Sequence, residues 1–146
     1  MIHLTDEMRR WLEVAPDDGV PCLVGTSTKD GHPQISPKGS VAVFDPETLS
    51  FWERSFRSSY DAIAENPHTV VYMRNPHGSV EIPHRGSALR FHGEARIATS
   101  EADRQRAWDL SGKPEQERDP ERKGVAILIR VDLIEDLGGA VVMKRD

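Results

Sequence analysis

The sequence predicts a mostly β protein, a small β-barrel of six to seven largely antiparallel strands with short helices at its periphery. Three observations lead there. Apolar, β-rich runs recur along the chain, bounded by Gly, Pro, Asn and Asp turn signals. Most neighbouring runs are joined by connections too short for a crossover helix, which favours antiparallel neighbours over a doubly wound parallel sheet. An antiparallel sheet this extended tends to remove its unpaired edges by closing on itself.

In chain order, Thr5 can cap a first helix whose opening acids, Asp6 and Glu7, suit the positive end of the dipole. Met8, Trp11, Leu12 and Ala15 follow at i, i+3, i+4 and i+7, and Pro16 with "DDG" ends the helix. "PCLVGTST" reads as a strand, "KDGHP" as a turn with Gly31 free to take positive φ, and "QIS" as a short return strand. "SVAVF" and "LSFWE" are two further strands around the turn "DPET". Ser58 or Ser59 can cap a short helix, with Ile63 and Ala64 facing inward and Asn66-Pro67 ending it. "TVVYM" is a buried strand. "RNPHGSVEIPHRG" reads as a loop, and "SALRFHGEARIAT" as a long strand that bends at Gly93. Ser100 with Asp103 resembles a capping box opening a third helix. Residues 113–123, charged and nearly devoid of apolar side chains, read as an exposed loop. "VAILIRVDLI" is the clearest strand, and "DLGGAVVMK" holds the last one behind a Gly138-Gly139 turn.

The 146 residues suit one domain, 1–146, large enough to bury a core without staples. An apolar content of 37% is below the globular average; either a second copy of the chain covers part of its surface or its solvated loops are long. A net charge of −5 argues against non-specific nucleic-acid binding, which rests on neutralising phosphates. The single Cys22 cannot form an internal disulfide, which suits a reducing cytosol, and its setting in "VPCLVG" is that of a buried strand thiol. No apolar run approaches the ~20 residues of a membrane span, and the N-terminus lacks a signal pattern, so a cytoplasmic protein without a membrane partner is expected.

Neither G-x-G-x-x-G nor G-x-x-x-x-G-K-[ST] is present, nor a G-x-S-x-G elbow. The six histidines show no HxxxH or HExxH spacing, and one cysteine cannot build a zinc site, so no metal is expected. Two segments remain. In "FRSSYDAIAENP", Arg57 and the hydroxyls of Ser58, Ser59 and Tyr60 gather at a helix N-terminus, whose unpaired N–H groups and partial positive charge make a phosphate cradle; a serine cap with a solvated arginine explains the segment equally. In "SPKGS", placed at the start of a strand, Pro37 fixes φ, Gly39 lets a planar ring approach the backbone, and Lys38 supplies a cation beside Ser36 and Ser40. Such a setting suits a flavin, whose reduced ring carries negative charge; taken alone, a turn with a surface lysine is the plainer account.

Read together, "GTSTKDGHPQISPKGSVAVFDPETLSFWERSFRSSYDAIAENPHTVVYMR", residues 25–74, resembles the pyridoxamine 5'-phosphate oxidase-like family, the FMN-binding split β-barrels. The order of a G-x-P-x-x-S-P hairpin, a strand ending in Asp, an aromatic strand, a polar segment, an Asn-Pro helix end and a buried strand carries the likeness, and "ALRFHGEARI" continues it. The resemblance implies a homodimer with FMN at the subunit interface, its phosphate held by Arg57, Ser58, Ser59 and Tyr60 and its ring by Ser36, Pro37, Lys38, Gly39 and Ser40. It further implies a flavin-dependent oxidoreductase acting on a small molecule. The tail "VDLIEDLGGAVVMKRD" lacks the family's C-terminal tryptophan and arginine/histidine segment, and no tyrosine-arginine-serine substrate segment is recognisable, which speaks against vitamin B6 oxidation. A flavin-, F420- or haem-binding module without turnover is the alternative. Arg74, His77 and Arg85 are either substrate contacts or solvated loop residues; no catalytic residue is assigned.

Overall fold

The computed structural model describes residues 1–77 and 87–146. Eight strands form one sheet: β1 (Cys22–Ser27), β2 (Pro33–Lys38), β3 (Ala42–Asp45), β4 (Thr48–Glu53), β5 (His68–Arg74), β6 (Ala88–Ile97), β7 (Val125–Asp136) and β8 (Val141–Lys144). Their order is β2-β1-β5-β6-β7-β4-β3, with β8 pairing to β7. Each pairing is antiparallel; short connections account for the consecutive pairs such as β1–β2 and β3–β4, but β1 also pairs with β5 and β4 with β7, and the consecutive β2 and β3 do not pair. Four helices flank the sheet: α1 (Asp6–Val14), α2 (Ser58–Glu65), α3 (Glu101–Leu110) and α4 (Lys113–Arg118).

The mostly-β class holds. The described residues carry eight strands, one more than the upper expectation, the last of them set off behind the Gly139 turn (φ +86°) as expected. The sheet does not close by hydrogen bonds: β2 and β3 are its two edges. Pro33 and Pro37 lack the N–H a closing ladder needs, and β3 is short and bulged between Val43 and Asp45. Side chains draw the seam together instead. Lys38 Nζ, at the end of β2, donates to Glu53 Oε2 at the end of β4 (2.7 Å). Trp52 N donates to Ser40 Oγ across the turn (3.1 Å).

Strand registry sets two faces. Cys22, Val24, Val71, Met73, Phe91 and Ile134 line the inner face with Met8, Trp11 and Leu12 of α1, whose predicted apolar stripe is buried as expected. The wing formed by β3, β4 and β7 is buried on its other face too, where Phe44, Trp52 and Leu128 meet Ala107 and Trp108 of α3. That double burial explains why β4 and β7 read as nearly unbroken apolar runs. The bend at Gly93 is a bulge between His92 and Gly93; any Cβ there would lie 2.1 Å from Arg130 O, so only glycine fits.

Three local expectations change. Residues 113–123 do not form an exposed loop throughout: Lys113–Arg118 is helix α4, and Glu115 and Asp119 are buried. Polar partners dock the segment, not an apolar stripe. Arg54 Nε donates to Glu115 Oε1 (2.6 Å), and Trp52 Nε1 to Asp119 Oδ2 (2.8 Å). In α2 the inward residues are Ser59, Ala62 and Ile63, while Ala64 is exposed. The strand holding "QIS" runs on to Lys38, so "SPKGS" closes β2 and enters a turn, not the start of a strand. The loop expected over residues 74–86 lies outside the described residues from 78 onward, and Arg85 with it.

Candidate functional site

The site is built where the end of β2 meets the start of α2. On β2 the side chains alternate: Gln34, Ser36 and Lys38 lie on the inner face, opposite Thr26, Val24 and Cys22 of β1. In α2 the inward stripe begins with Ser59, one turn before Ala62 and Ile63. These two periodicities bring Ser36 Oγ and Ser59 Oγ to 3.3 Å, one hydroxyl donating to the other. The far end of α2 is tied to the β1–β2 hairpin: Asn66 Nδ2 donates to Thr28 O (3.3 Å), and Lys29 N donates to Glu65 Oε2 (3.2 Å).

No side chain caps α2. The residue before it is Arg57, and neither Ser58 nor Ser59 serves as the cap. The first helical bond runs from Asp61 N to Arg57 O (3.1 Å), so the N–H groups of residues 58–60 point out of the helix end without intrahelical acceptors. Arg57 and Ser58 are exposed beside them, with no ion-pair or side-chain hydrogen-bond partner among the described residues. Tyr60 packs its ring edge-on against Phe56 at 5.1 Å. Two residues before Ser36, Gln34 Oε1 is buried without a hydrogen-bond partner. An uncapped helix end, paired hydroxyls, a free guanidinium and an orphaned amide oxygen fit a phosphate-bearing, hydrogen-bonding ligand.

The "SPKGS" residues face a different space. Pro37, Lys38, Gly39 and Ser40 line a cleft of about 300 Å³ with Glu53, Arg54, Glu115 and Arg118. A Cβ on Gly39 would meet nothing nearer than Pro16 Cγ at 3.9 Å, so its open side admits a flat group. Lys38 does not offer a free charge: its ammonium is held by the buried Glu53 carboxylate and lies 5.7 Å from the centre of the Phe51 ring. The Ser40 hydroxyl is spent on the Trp52 backbone, donating to Trp52 O (3.4 Å) as well as accepting from Trp52 N, which gives Ser40 a structural task. Nothing in the sequence marks Glu53, Glu115 or Arg118 as part of a site. Glu53 was hidden in an apolar strand, and the other two in a segment without apolar periodicity.

Behind the cleft, Asp119 accepts from Trp52 Nε1, Gly124 N (2.8 Å) and Lys123 N (2.9 Å). Burial pushes its pKa up, but those hydrogen bonds and the Arg54 charge outweigh it and hold the carboxyl below its ordinary value. Arg104 stacks 5.0 Å over Trp52 and Arg122 4.8 Å over Trp108, so a layered Arg–Trp assembly backs the Trp52 side of the cleft. Burial pushes the Cys22 thiol up to about 12, which makes it inert as a nucleophile. Of the loop residues, Arg74 ends β5, and His77 Nε2 lies 3.3 Å from Asp18 Oδ1. Among the described residues no three His, Cys, Asp or Glu side chains converge on a metal-sized site, and no helix is long and apolar enough to cross a membrane.

An open antiparallel barrel with its seam flanked by an uncapped helix defines the split-barrel class. The family model for pyridoxamine 5'-phosphate oxidase matches residues 4–135, and the chain belongs to that family. Solved structures share the fold. HupZ from Group A Streptococcus is 24% identical with a TM-score of 0.66, over 95% of this chain and 98% of its own. An F420 reductase is 20% identical with a TM-score of 0.55, over 78% and 87%. A haem-binding protein from Mycobacterium smegmatis is 14% identical with a TM-score of 0.60, over 81% and 48%. At these identities the likeness is one of fold. No curated protein sequence matches the chain.

Proposed function

We propose that the protein binds FMN at the junction of β2 and α2 and acts as a flavin-dependent oxidoreductase on a small molecule. The observation that carries the reading is the Ser36–Ser59 hydroxyl pair at 3.3 Å, set beside the uncapped start of α2. Arg57, Ser58, Ser59 and the N–H groups of residues 58–60 would hold the phosphate, with Ser36 completing the hydroxyl set. Pro37, Lys38 and Gly39 would face the ring. Glu53 orients the Lys38 ammonium, and Ser40 pins the turn to Trp52. When bound, FMN would supply hydride acceptance and donation; the protein's share is orientation and electrostatics.

A homodimer is part of this proposal. Leu23, Ile35, Pro37, Val70 and Tyr72 fall on one face of β2, β1 and β5 by registry, and Ile35 is 73% exposed. An apolar sheet face of this kind suits a second copy of the chain. One buried, unpaired cysteine suits a cytoplasmic setting. The alternative is a non-catalytic module for flavin, F420 or haem; the likeness to a haem-binding protein supports a binding role, and that to an F420 reductase widens the choice of cofactor.

The test is FMN titration of the apo protein and its Arg57→Ala variant, followed by absorbance and fluorescence. Arg57→Ala should weaken binding about tenfold, the low end for a charge-assisted contact because the guanidinium is exposed. Equal affinities reject the phosphate assignment. Steady oxidation of reduced nicotinamide by the loaded protein supports the enzyme; tight binding without turnover supports the module, and a Soret band on purification moves the reading to haem.

A further inference from the structure

A second cavity, of about 490 Å³, lies beyond the cleft, between the end of α1 and the α3–α4 connection. It shares Gly39, Ser40, Glu115 and Arg118 with the cleft, so the two spaces adjoin. Its size falls in the range of small-molecule pockets. Its floor is apolar and firmly held: Leu12 and Val41 belong to the buried core, and Leu110 packs against the Trp52–Trp108 cluster.

The charge around it is one-sided. Glu13 from α1, Asp17 from the turn after it and Asp109 from α3 stand on its rim, and none of the three has a cationic partner among the described residues. Asp109 accepts only from the neutral Gln105 amide (2.8 Å). Glu115 is neutralised by Arg54, which among the described residues leaves Arg118 as the sole unpaired cation on the wall. The backbone adds to this. α1 and α3 both end at the cavity, and neither has a basic residue in its last turn. Two negative helix poles therefore meet the pocket against one positive one, the uncapped start of the six-residue α4 at Gly112.

We infer that this cavity binds a small organic cation with an apolar body, an aryl- or alkylamine, and discriminates against anions of the same shape. The cavity supplies the volume and the apolar floor, and the rim carboxylates and helix ends select the sign. This site stands independently of the flavin proposal; if both hold, the amine sits next to the cofactor cleft through the shared Gly39–Ser40 wall.

Three probes of one shape test it on the full chain: phenethylamine, 2-phenylethanol and 3-phenylpropionate, titrated at low ionic strength with backbone amide NMR shifts as the readout. Phenethylamine should bind most tightly and shift the amides of Leu12, Val41, Leu110 and Gly112. The alcohol should be weaker and the carboxylate weakest. The exposed Glu13→Gln/Asp17→Asn double variant, which leaves the core untouched, should bind phenethylamine about three- to tenfold more weakly and the alcohol unchanged. A carboxylate that binds as well as the amine, shifts confined to another surface, or an amine affinity indifferent to the double variant overturns the inference. A parallel FMN titration separates the two proposals: failure to take up flavin with the amine shifts intact counts against the cofactor reading alone.

Discussion

Replacing Glu53 with Gln should cost the fold far more than a surface charge change. The side chains of Lys38 and Glu53 are 16% and 3% exposed, 2.7 Å apart, and Glu53 Oε1 also takes the Ser55 N–H at 3.0 Å. Removing one partner of a buried pair leaves an uncompensated charge, at a cost of about 3–5 kcal/mol; water reaching the Lys38 ammonium places this case near 3. Lys38→Met alone should cost a similar amount by stranding the carboxylate. The double variant Lys38→Met/Glu53→Gln removes both charges and keeps an apolar stem against Phe51, so it should lose only about 1 kcal/mol. Urea unfolding of the four proteins reads the cycle. With a slope of about 1–3 kcal/mol/M, the single variants should shift the midpoint by 1 M or more, and the double variant by much less. A Glu53→Gln protein within about 0.5 kcal/mol of the parent, or a double variant that loses the sum of the singles, refutes the view that this pair draws the open seam together.

Three further outcomes are expected. Gly39→Val meets no strain, since its Cβ would find only Pro16 Cγ at 3.9 Å, so thermal stability should change little while FMN affinity falls as the side chain fills the cleft; unchanged affinity would separate the ring from this turn. Asp119, whose pKa is lowered from 3.8, contributes stability that is present above that value and lost as the pH falls through the folded-state pKa; the urea-midpoint gap between the parent and Asp119→Asn should therefore be widest near neutrality and close on the acid side of 3.8, and a constant gap would sink the assignment. Ile35→Glu places a charge on the outer face of β2 and should leave the monomer folded but abolish a dimer measured by light scattering; a variant that stays dimeric excludes that face.

Local physics made much of this chain legible before any coordinates. The α1 stripe, the Thr5 and Ser100 caps, the positive φ at Gly31 and the bend at Gly93 all depend on neighbours a few residues apart, and each reappears in the structure, whereas the strand order, with β1 beside β5 and β4 beside β7, does not. Ser36 and Ser59 were both marked by type and position. Their 3.3 Å approach is a matter of tertiary packing, because it needs β2 to continue to Lys38 and α2 to turn its serine inward. Helix α4 escaped notice for the same reason. Its anchors, Arg54 with Glu115 and Trp52 with Asp119, join residues 61 and 67 positions apart, and polar pairs leave no periodic trace in a sequence. By sequence Lys38 supplies a cation, and nothing local reveals that a carboxylate from the end of another strand holds it. Spacing along the chain reports periodicity and capping; which charges meet is decided only when distant strands close on each other.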